Sequence, residues 1–299
     1  MPRLKSRDDK SRLLRRVRRQ RVKYITVLPS LITILNGVFG FIAIVLAGRG
    51  GETTLGGLSY YALAGYMVLL AMLADMLDGR LARMSQSTSS FGGQLDSLCD
   101  LVSFGVAPAY IMLNVVEGEP ALATTMAGNL FHRFVWLAAL AYISCGAIRL
   151  ARFNVENEEN EAAHMSFFGL PSPGAAGVIV SLVILHQEGN VPGIDVLVYA
   201  LPVVTLGVAI LMVSRIRYPH VLNLYLRGRK PFSHLIQLLL FLGVVVVLRQ
   251  AALVLIFGAF AGGSFARWLY DKLRHKGSRF APANQEQGAP SPVHPGTDR

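Results

Sequence analysis

Long runs of apolar residues alternate with short polar segments along most of the chain. A helix needs about 20 predominantly apolar residues to cross the hydrocarbon core of a bilayer. Eight runs approach or exceed that length, although the fifth is short and the last two nearly touch. The pattern predicts an all-α integral membrane protein with about eight transmembrane helices, at residues 26–48, 58–83, 95–116, 131–152, 171–187, 195–213, 232–249 and 251–270.

The distribution of basic residues predicts which ends of these helices face the cytoplasm. Eleven of the first 23 residues are Lys or Arg, and five more basic residues lie between 214 and 231. The three predicted outer loops together hold one, Arg49. Because Lys and Arg accumulate in cytoplasmic loops, we expect both termini to be cytoplasmic and the protein to lie in the cell (inner) membrane.

Three regions follow from this pattern: a basic N-terminal segment (1–24), a transmembrane domain (25–271), and a tail (272–299) that is basic and then disordered. A basic segment is also typical of nucleic-acid-binding arms. Its position directly before a membrane helix favours contact with anionic lipid instead. We therefore expect membrane lipids, and no nucleic acid, as partners of this segment.

Four aspartates lie at helical spacing in two consecutive apolar runs. Asp75 and Asp78 share one face of the second predicted helix, and Asp96 and Asp100 share one face of the third. The link between these helices is short, so they should be antiparallel neighbours with the four carboxylates close together. A carboxylate at the bilayer centre costs roughly 2.5–3.5 kcal/mol, so four of them require compensation.

Three explanations fit this spacing. The acids could form a structural cluster paired with Arg80, Arg83 and Arg149, or mark a cation-transport path. They could also bind divalent metal, because Mg²⁺ prefers oxygen ligands and two such ions can clamp the oxygens of a displacement at phosphorus. The spacing favours the third explanation, a two-metal site for phosphoryl transfer.

The full acidic pattern resembles the signature of the CDP-alcohol phosphotransferase family. It matches every fixed position of that signature: Asp75, Asp78, Gly79, Ala82, Arg83, Gly92, Asp96 and Asp100. The resemblance implies six core membrane helices, here followed by two C-terminal ones, and a homodimer. It also implies an enzyme that displaces CMP from a CDP-linked lipid, so 25–271 would be the catalytic domain.

Other stretches resemble the phosphatidylserine synthase branch of that family: 28–36, 98–108, 148–154, 168–173 and 212–219. The branch implies transfer of a phosphatidyl group from CDP-diacylglycerol to L-serine, giving phosphatidylserine and CMP. Two alternatives remain open. One is the same chemistry with glycerol 3-phosphate or an inositol compound as acceptor; the other is an ion-coupled transporter, which would show inverted repeats and broken helices.

The resemblance also implies roles for individual residues. Asp75, Asp78 and Asp96 would bind one divalent cation, Mg²⁺ or Mn²⁺, and Asp75, Asp96 and Asp100 would surround a second. Asp100 would be the general base, with Asp96 beside it in the catalytic centre. The CDP moiety would contact Gly79, Ala82, Arg83 and Gly92.

Two arginines of the fourth helix are candidates for anion binding. Arg149 and Arg152 could hold a phosphate or the carboxylate of serine, because a guanidinium forms forked hydrogen bonds to both. Alternatively, Arg149 could pair with one of the aspartates, and Arg152 could be a positive-inside anchor. Ser103 and Asn154 could contact ligand or satisfy the ends of helices.

Overall fold

The computed structural model describes residues 30–53, 56–85, 90–119, 126–159, 169–189, 196–214, 216 and 249–278, and these form a helical bundle. The helices, in chain order, are α1 (30–47), α2 (Tyr60–Ser85), α3 (Ser90–Asp100), α4 (Ala107–Glu117), α5 (Met126–Glu159), α6 (Ser172–Glu188), α7 (Val196–Val213) and α8 (Arg249–Ser278). A π-helical turn, Leu101–Val106, joins α3 to α4 without interrupting the span.

Six helical stretches in the described part of the chain are long and apolar enough to cross a membrane, as expected for a multi-pass membrane protein. They are Ser30–Ala47, Tyr60–Leu81, Phe91–Glu117, Asn129–Val155, Val196–Val213 and Ala251–Trp268. The prediction of eight spans is not confirmed. The predicted fifth span forms α6, whose 17 residues are fewer than in any of these six. The predicted seventh span and the basic N-terminal segment lie outside the described residues, except for Arg249.

Helix α6 occupies the centre of the described bundle, in contact with α2, α4, α7 and α8. Glycines allow its neighbours to approach closely. A Cβ added at Gly174 would lie 2.9 Å from the Phe260 ring of α8, and one added at Gly65 of α2 would lie 2.9 Å from Ile184 of α6. Small residues at such contacts are the usual means by which helices associate inside a membrane. The short, buried α6 therefore fixes the positions of the helices around it.

Helix α1 lies against α3 and the π turn through two glycines. A Cβ added at Gly37 would be 3.0 Å from Cys99 Sγ, and one added at Gly40 would be 2.6 Å from the Ser103 Cα. The Ser103 hydroxyl donates a 2.9 Å hydrogen bond to the backbone oxygen of Asn36. Ser103 therefore ties the π turn to α1. Asn36 lies within α1, so this bond does not satisfy the end of a helix, and contact of Ser103 with a ligand stays a prediction.

The contact at Gly40 predicts a clear packing defect. Gly40→Ala would force α1 away from the π turn, because the obstructing atom belongs to the backbone of Ser103. Overpacking of this kind costs about 1–3 kcal/mol, which should lower the thermal unfolding temperature of the detergent-solubilised protein. Gly207→Ala is the matched control, since a Cβ at Gly207 meets nothing within 4 Å. Equal unfolding temperatures for the two variants would contradict the predicted close contact.

The π turn is stabilised from a distant part of the sequence. Pro108 follows the turn and has no N–H to offer the Phe104 carbonyl four residues before it. The hydroxyl of the fully buried Tyr142 of α5 donates a 2.9 Å hydrogen bond to that carbonyl. A backbone oxygen that proline leaves without an α-helical partner is thereby satisfied, and α5 is anchored beside the segment that follows Asp100.

Candidate active site

Three of the four predicted acids meet at one end of the bundle. One carboxylate oxygen from each of Asp75, Asp78 and Asp96 lies within 4.8 Å of the other two. Asp75 and Asp78 reach this point because they are three positions apart on α2, close to one helical turn. Asp96 is contributed by α3, one turn before Asp100. The predicted convergence of the two helices is confirmed for these three residues.

Two carboxylate oxygens of the cluster are buried and receive no hydrogen bond. Asp78 is 4% exposed, and the Thr33 side chain and the Gly79 backbone hydrogen-bond to it. Even so, Asp78 Oδ2 and Asp96 Oδ1 are buried without any hydrogen-bond partner. Buried carboxylate oxygens without partners are costly unless a cation or a donor reaches them. Oxygen ligands in this number and at this spacing fit a divalent cation such as Mg²⁺ or Mn²⁺.

Arg80 and Arg149 do not neutralise the cluster directly, and the side chain of Arg83, the third arginine of the structural-pairing explanation, lies outside the described residues. No ion pair joins Asp75, Asp78 or Asp96 to Arg80 or Arg149, and Arg80 is exposed. Arg149 interacts electrostatically with Asp75 at longer range. Between these residues, direct structural pairing of acids with arginines therefore does not account for the cluster.

Asp100 lies beside the cluster and is held separately. It is 9% exposed and interacts electrostatically with Asp75 and Asp96. Its Oδ1 accepts a 2.9 Å hydrogen bond from Asn36 Nδ2 of α1. One oxygen of Asp100 is thus fixed by a neutral donor, and the other takes no part in that bond.

Sequence reasoning assigned no role to Thr33 or Asn36. Both are buried polar residues on α1, three positions apart, and they contact Asp78 and Asp100 respectively. The available signal was a pair of polar residues on one face of an otherwise apolar helix. That signal indicates a buried partner, but it does not identify the partner as the acidic helices.

One of the two candidate anion-binding arginines contacts the start of α6. Arg149 donates a 2.9 Å hydrogen bond from Nη1 to the hydroxyl of Ser172, while its Nε is buried without a partner. The alternative prediction was an ion pair between Arg149 and one of the aspartates. Arg149 forms no ion pair with Asp75 or Asp100, and its Nη1 binds Ser172 instead. One turn further along α5, Arg152 is exposed. Asn154 Oδ1 accepts a 3.0 Å hydrogen bond from Ser97 of α3, which places it near Asp96.

The residues predicted to contact the CDP moiety lie on the acidic helices. A Cβ added at Gly79 would meet nothing within 4 Å, and the same holds for Gly93. Open space is therefore present next to Asp78 and at the start of α3. Ala82 and Arg83 continue α2 beyond Asp78, and Gly92 precedes Asp96 by one turn on α3. Contact of these residues with a nucleotide stays a prediction.

Comparison with known proteins agrees with this arrangement. The family profile of CDP-alcohol phosphatidyltransferase matches residues 26–213. The CDP-diacylglycerol–serine O-phosphatidyltransferase of Helicobacter pylori (strain 26695) is 34% identical over 215 residues, covering 70% of this chain and 81% of the relative. The proteins of the same name from Methanocaldococcus jannaschii and Bacillus subtilis are 30% and 32% identical, covering 66% and 64% of this chain and 76% and 90% of their own lengths. The chain therefore belongs to the CDP-alcohol phosphatidyltransferase family.

Proposed function

We propose that this protein transfers the phosphatidyl group of CDP-diacylglycerol to L-serine, producing phosphatidylserine and CMP. The observation that carries the proposal is the convergence of Asp75, Asp78 and Asp96, with unpaired oxygens, on helices that bear the full family signature. The names of the serine-specific relatives support serine as the acceptor.

The acidic residues are proposed to hold the divalent cations of the reaction. Asp75, Asp78 and Asp96 would hold one ion, and Asp75, Asp96 and Asp100 would surround a second. When bound, such ions neutralise charge on the diphosphate and on the departing CMP. The buried oxygens without donors, Asp78 Oδ2 and Asp96 Oδ1, are the ligand atoms that the site offers most directly.

Asp100 is proposed to be the general base. The serine hydroxyl oxygen attacks the phosphorus that carries diacylglycerol, and its proton passes to the Asp100 carboxylate. The bond between that phosphorus and the bridging oxygen breaks, and the oxygen leaves with CMP. Asn36 holds Oδ1 of Asp100, so the other oxygen, Oδ2, is the one assigned to receive the proton.

Arg149 and Arg152 are proposed to orient the anionic part of a substrate. Ser172 holds Nη1 of Arg149, and Nε of Arg149 has no hydrogen-bond partner. A carboxylate or phosphate placed there would also lie near the first turn of α6, whose N–H groups favour negative charge. The carboxylate of serine and the lipid diphosphate are the two candidates. The nucleotide would lie along Gly79, Ala82, Arg83 and Gly92.

The remaining proposals concern the cellular setting. Basic loops are predicted at the same end of the bundle as the acidic residues. Because basic loops are usually cytoplasmic, they favour an active site that faces the cytoplasm from the cell membrane. The lipid substrate would then enter sideways from the bilayer, and serine would arrive from the cytosol. A homodimer is proposed from the family resemblance alone.

The acceptor is tested with the purified protein in mixed micelles containing CDP-diacylglycerol and Mn²⁺ or Mg²⁺. We expect L-serine to support CMP release, with phosphatidylserine as the lipid product identified by mass spectrometry. Glycerol 3-phosphate and inositol serve as matched acceptors and should give only the rate seen without acceptor. Faster CMP release with either of them than with serine would reject the proposed acceptor, and no release with any alcohol would reject the reaction.

A further inference from the structure

We infer that Asn36 is a positioning residue for the proposed reaction: its side-chain amide sets the orientation of the Asp100 carboxylate. The inference rests on the proposed role of Asp100 as the base, and it goes beyond that role by assigning a task to α1. Neither Asn36 nor α1 belongs to the acidic signature of the family.

The hydrogen bond between these residues fixes the orientation of the amide. Asn36 is fully buried, and its Nδ2 lies 2.9 Å from Asp100 Oδ1. An ionised carboxylate only accepts hydrogen bonds, so the amide must present its NH₂ group to Asp100. Asn36 Oδ1 is consequently left buried with no hydrogen-bond partner. An acceptor left in this way costs about 1–3 kcal/mol, which a leucine at this apolar position would avoid.

A second asparagine shows that such a residue can satisfy itself locally. Asn114 of α4 donates a 2.8 Å hydrogen bond to the Tyr110 carbonyl one turn earlier in its own helix. Asn36 bonds instead to a carboxylate 64 positions away in the chain. The need to satisfy its own amide therefore does not explain why Asn36 contacts Asp100. The contact is explained if the Asp100 carboxylate has to be held in one orientation.

The backbone of Asn36 is tied to the same segment as its side chain. Ser103, three residues after Asp100, donates a hydrogen bond to the Asn36 carbonyl oxygen. Asn36 is thus held at two points, one on each side of the junction between α3 and the π turn. With Oδ1 fixed, rotation of the Asp100 carboxylate is restricted, and Oδ2 has a defined position relative to Asp75 and Asp96.

The test separates this positioning effect from a general packing effect. Asn36→Leu removes the donor and keeps the same number and branching of side-chain heavy atoms. Ser103→Ala removes the hydrogen bond to the Asn36 backbone but leaves the hydrogen bond from the Asn36 amide to Asp100 intact. We expect Asn36→Leu to lower kcat about 10- to 100-fold, since small misplacements of reacting groups have effects of this size. We expect KM for serine to stay within about threefold of the wild-type value. The Mn²⁺ ion proposed between Asp75, Asp78 and Asp96, followed by electron paramagnetic resonance, should still bind, because Asp100 is not among its proposed ligands. Ser103→Ala should keep most of the wild-type kcat.

Folding is monitored by thermal unfolding in detergent, with Asn114→Leu as the control for loss of a buried amide elsewhere. If Asn36→Leu does not fold, Asn36→Ser decides, because its hydroxyl is too short to reach Asp100. A folded Asn36 variant with wild-type kcat would overturn the inference, as would an equal loss of kcat in the control Asn114→Leu. Failure of the wild-type protein to release CMP would instead reject the proposed function, so the two failures are distinguishable.

Discussion

Asp100→Asn is expected to lower the rate of CMP release by about 10²–10⁴-fold, the range associated with loss of a general base. The substitution is nearly isosteric. The amide oxygen of the new asparagine can still accept the hydrogen bond that Asn36 donates to Asp100 Oδ1, so the side chain should keep its place. The lost property is the ability to take the proton of serine. Initial rates in mixed micelles at saturating serine and metal measure the effect.

Two results would contradict the assignment of Asp100 as base. Full activity in Asp100→Asn would reject it outright. Full recovery of activity at higher Mn²⁺ concentration would show that Asp100 acts only as a metal ligand, because excess metal compensates for a weakened ligand but not for a missing base. An unchanged thermal unfolding temperature is the control that the variant is folded.

Asp96→Asn is expected to abolish measurable turnover and to weaken Mn²⁺ binding on the order of 100-fold or more. Loss of a residue that only hydrogen-bonds to a metal ligand typically weakens metal binding about 10- to 100-fold, and loss of a ligand itself should have a larger effect. Asp96 is one of the three acids of the proposed site, since one of its oxygens lies within 4.8 Å of an oxygen of Asp75 and of an oxygen of Asp78. Its Oδ1 is buried without a donor, as expected of an atom reserved for a cation. Binding is measured by electron paramagnetic resonance of Mn²⁺, independently of turnover.

Metal removal provides the matching test on the wild-type protein. A chelator should stop CMP release, and addition of Mn²⁺ or Mg²⁺ should restore it. Glu188→Gln is the control substitution. Glu188 is the last residue of α6 and accepts a hydrogen bond from Tyr66, whereas Ser172 is the first residue of α6. A helix of 17 residues is about 25 Å long, so Glu188 lies about that far from Ser172. Wild-type Mn²⁺ affinity in Asp96→Asn, or activity that persists in chelator, would reject a metal site at these acids.

The acidic cluster was predictable because the information is local. The spacing of Asp75 and Asp78 fixes one face of α2, that of Asp96 and Asp100 fixes one face of α3, and the short link makes the two helices neighbours. The apolar runs likewise predicted most of the membrane helices, since length and composition alone determine whether a helix can span a bilayer. The length of α6 placed it at the margin of that criterion.

The contacts that complete the site were not predictable in the same way. The bond from Asn36 to Asp100 and that from Arg149 to Ser172 join different helices, and they depend on how those helices pack. Spacing within one helix carries no information about such partners. The π turn was also missed, because Leu101–Val106 has no local pattern that separates it from an ordinary apolar helix.

That wide turn has a consequence for the whole span from Ser90 to Glu117. An extra residue accommodated in one turn rotates everything after it by about 100° relative to a regular α-helix. The half before the turn directs its acids toward α1 and α2, while the half after it buries Ile111 and Met112 in the core. One membrane crossing thereby combines a section that carries carboxylates with a section that is packed on nearly every side, since eight of the eleven residues of α4 are buried.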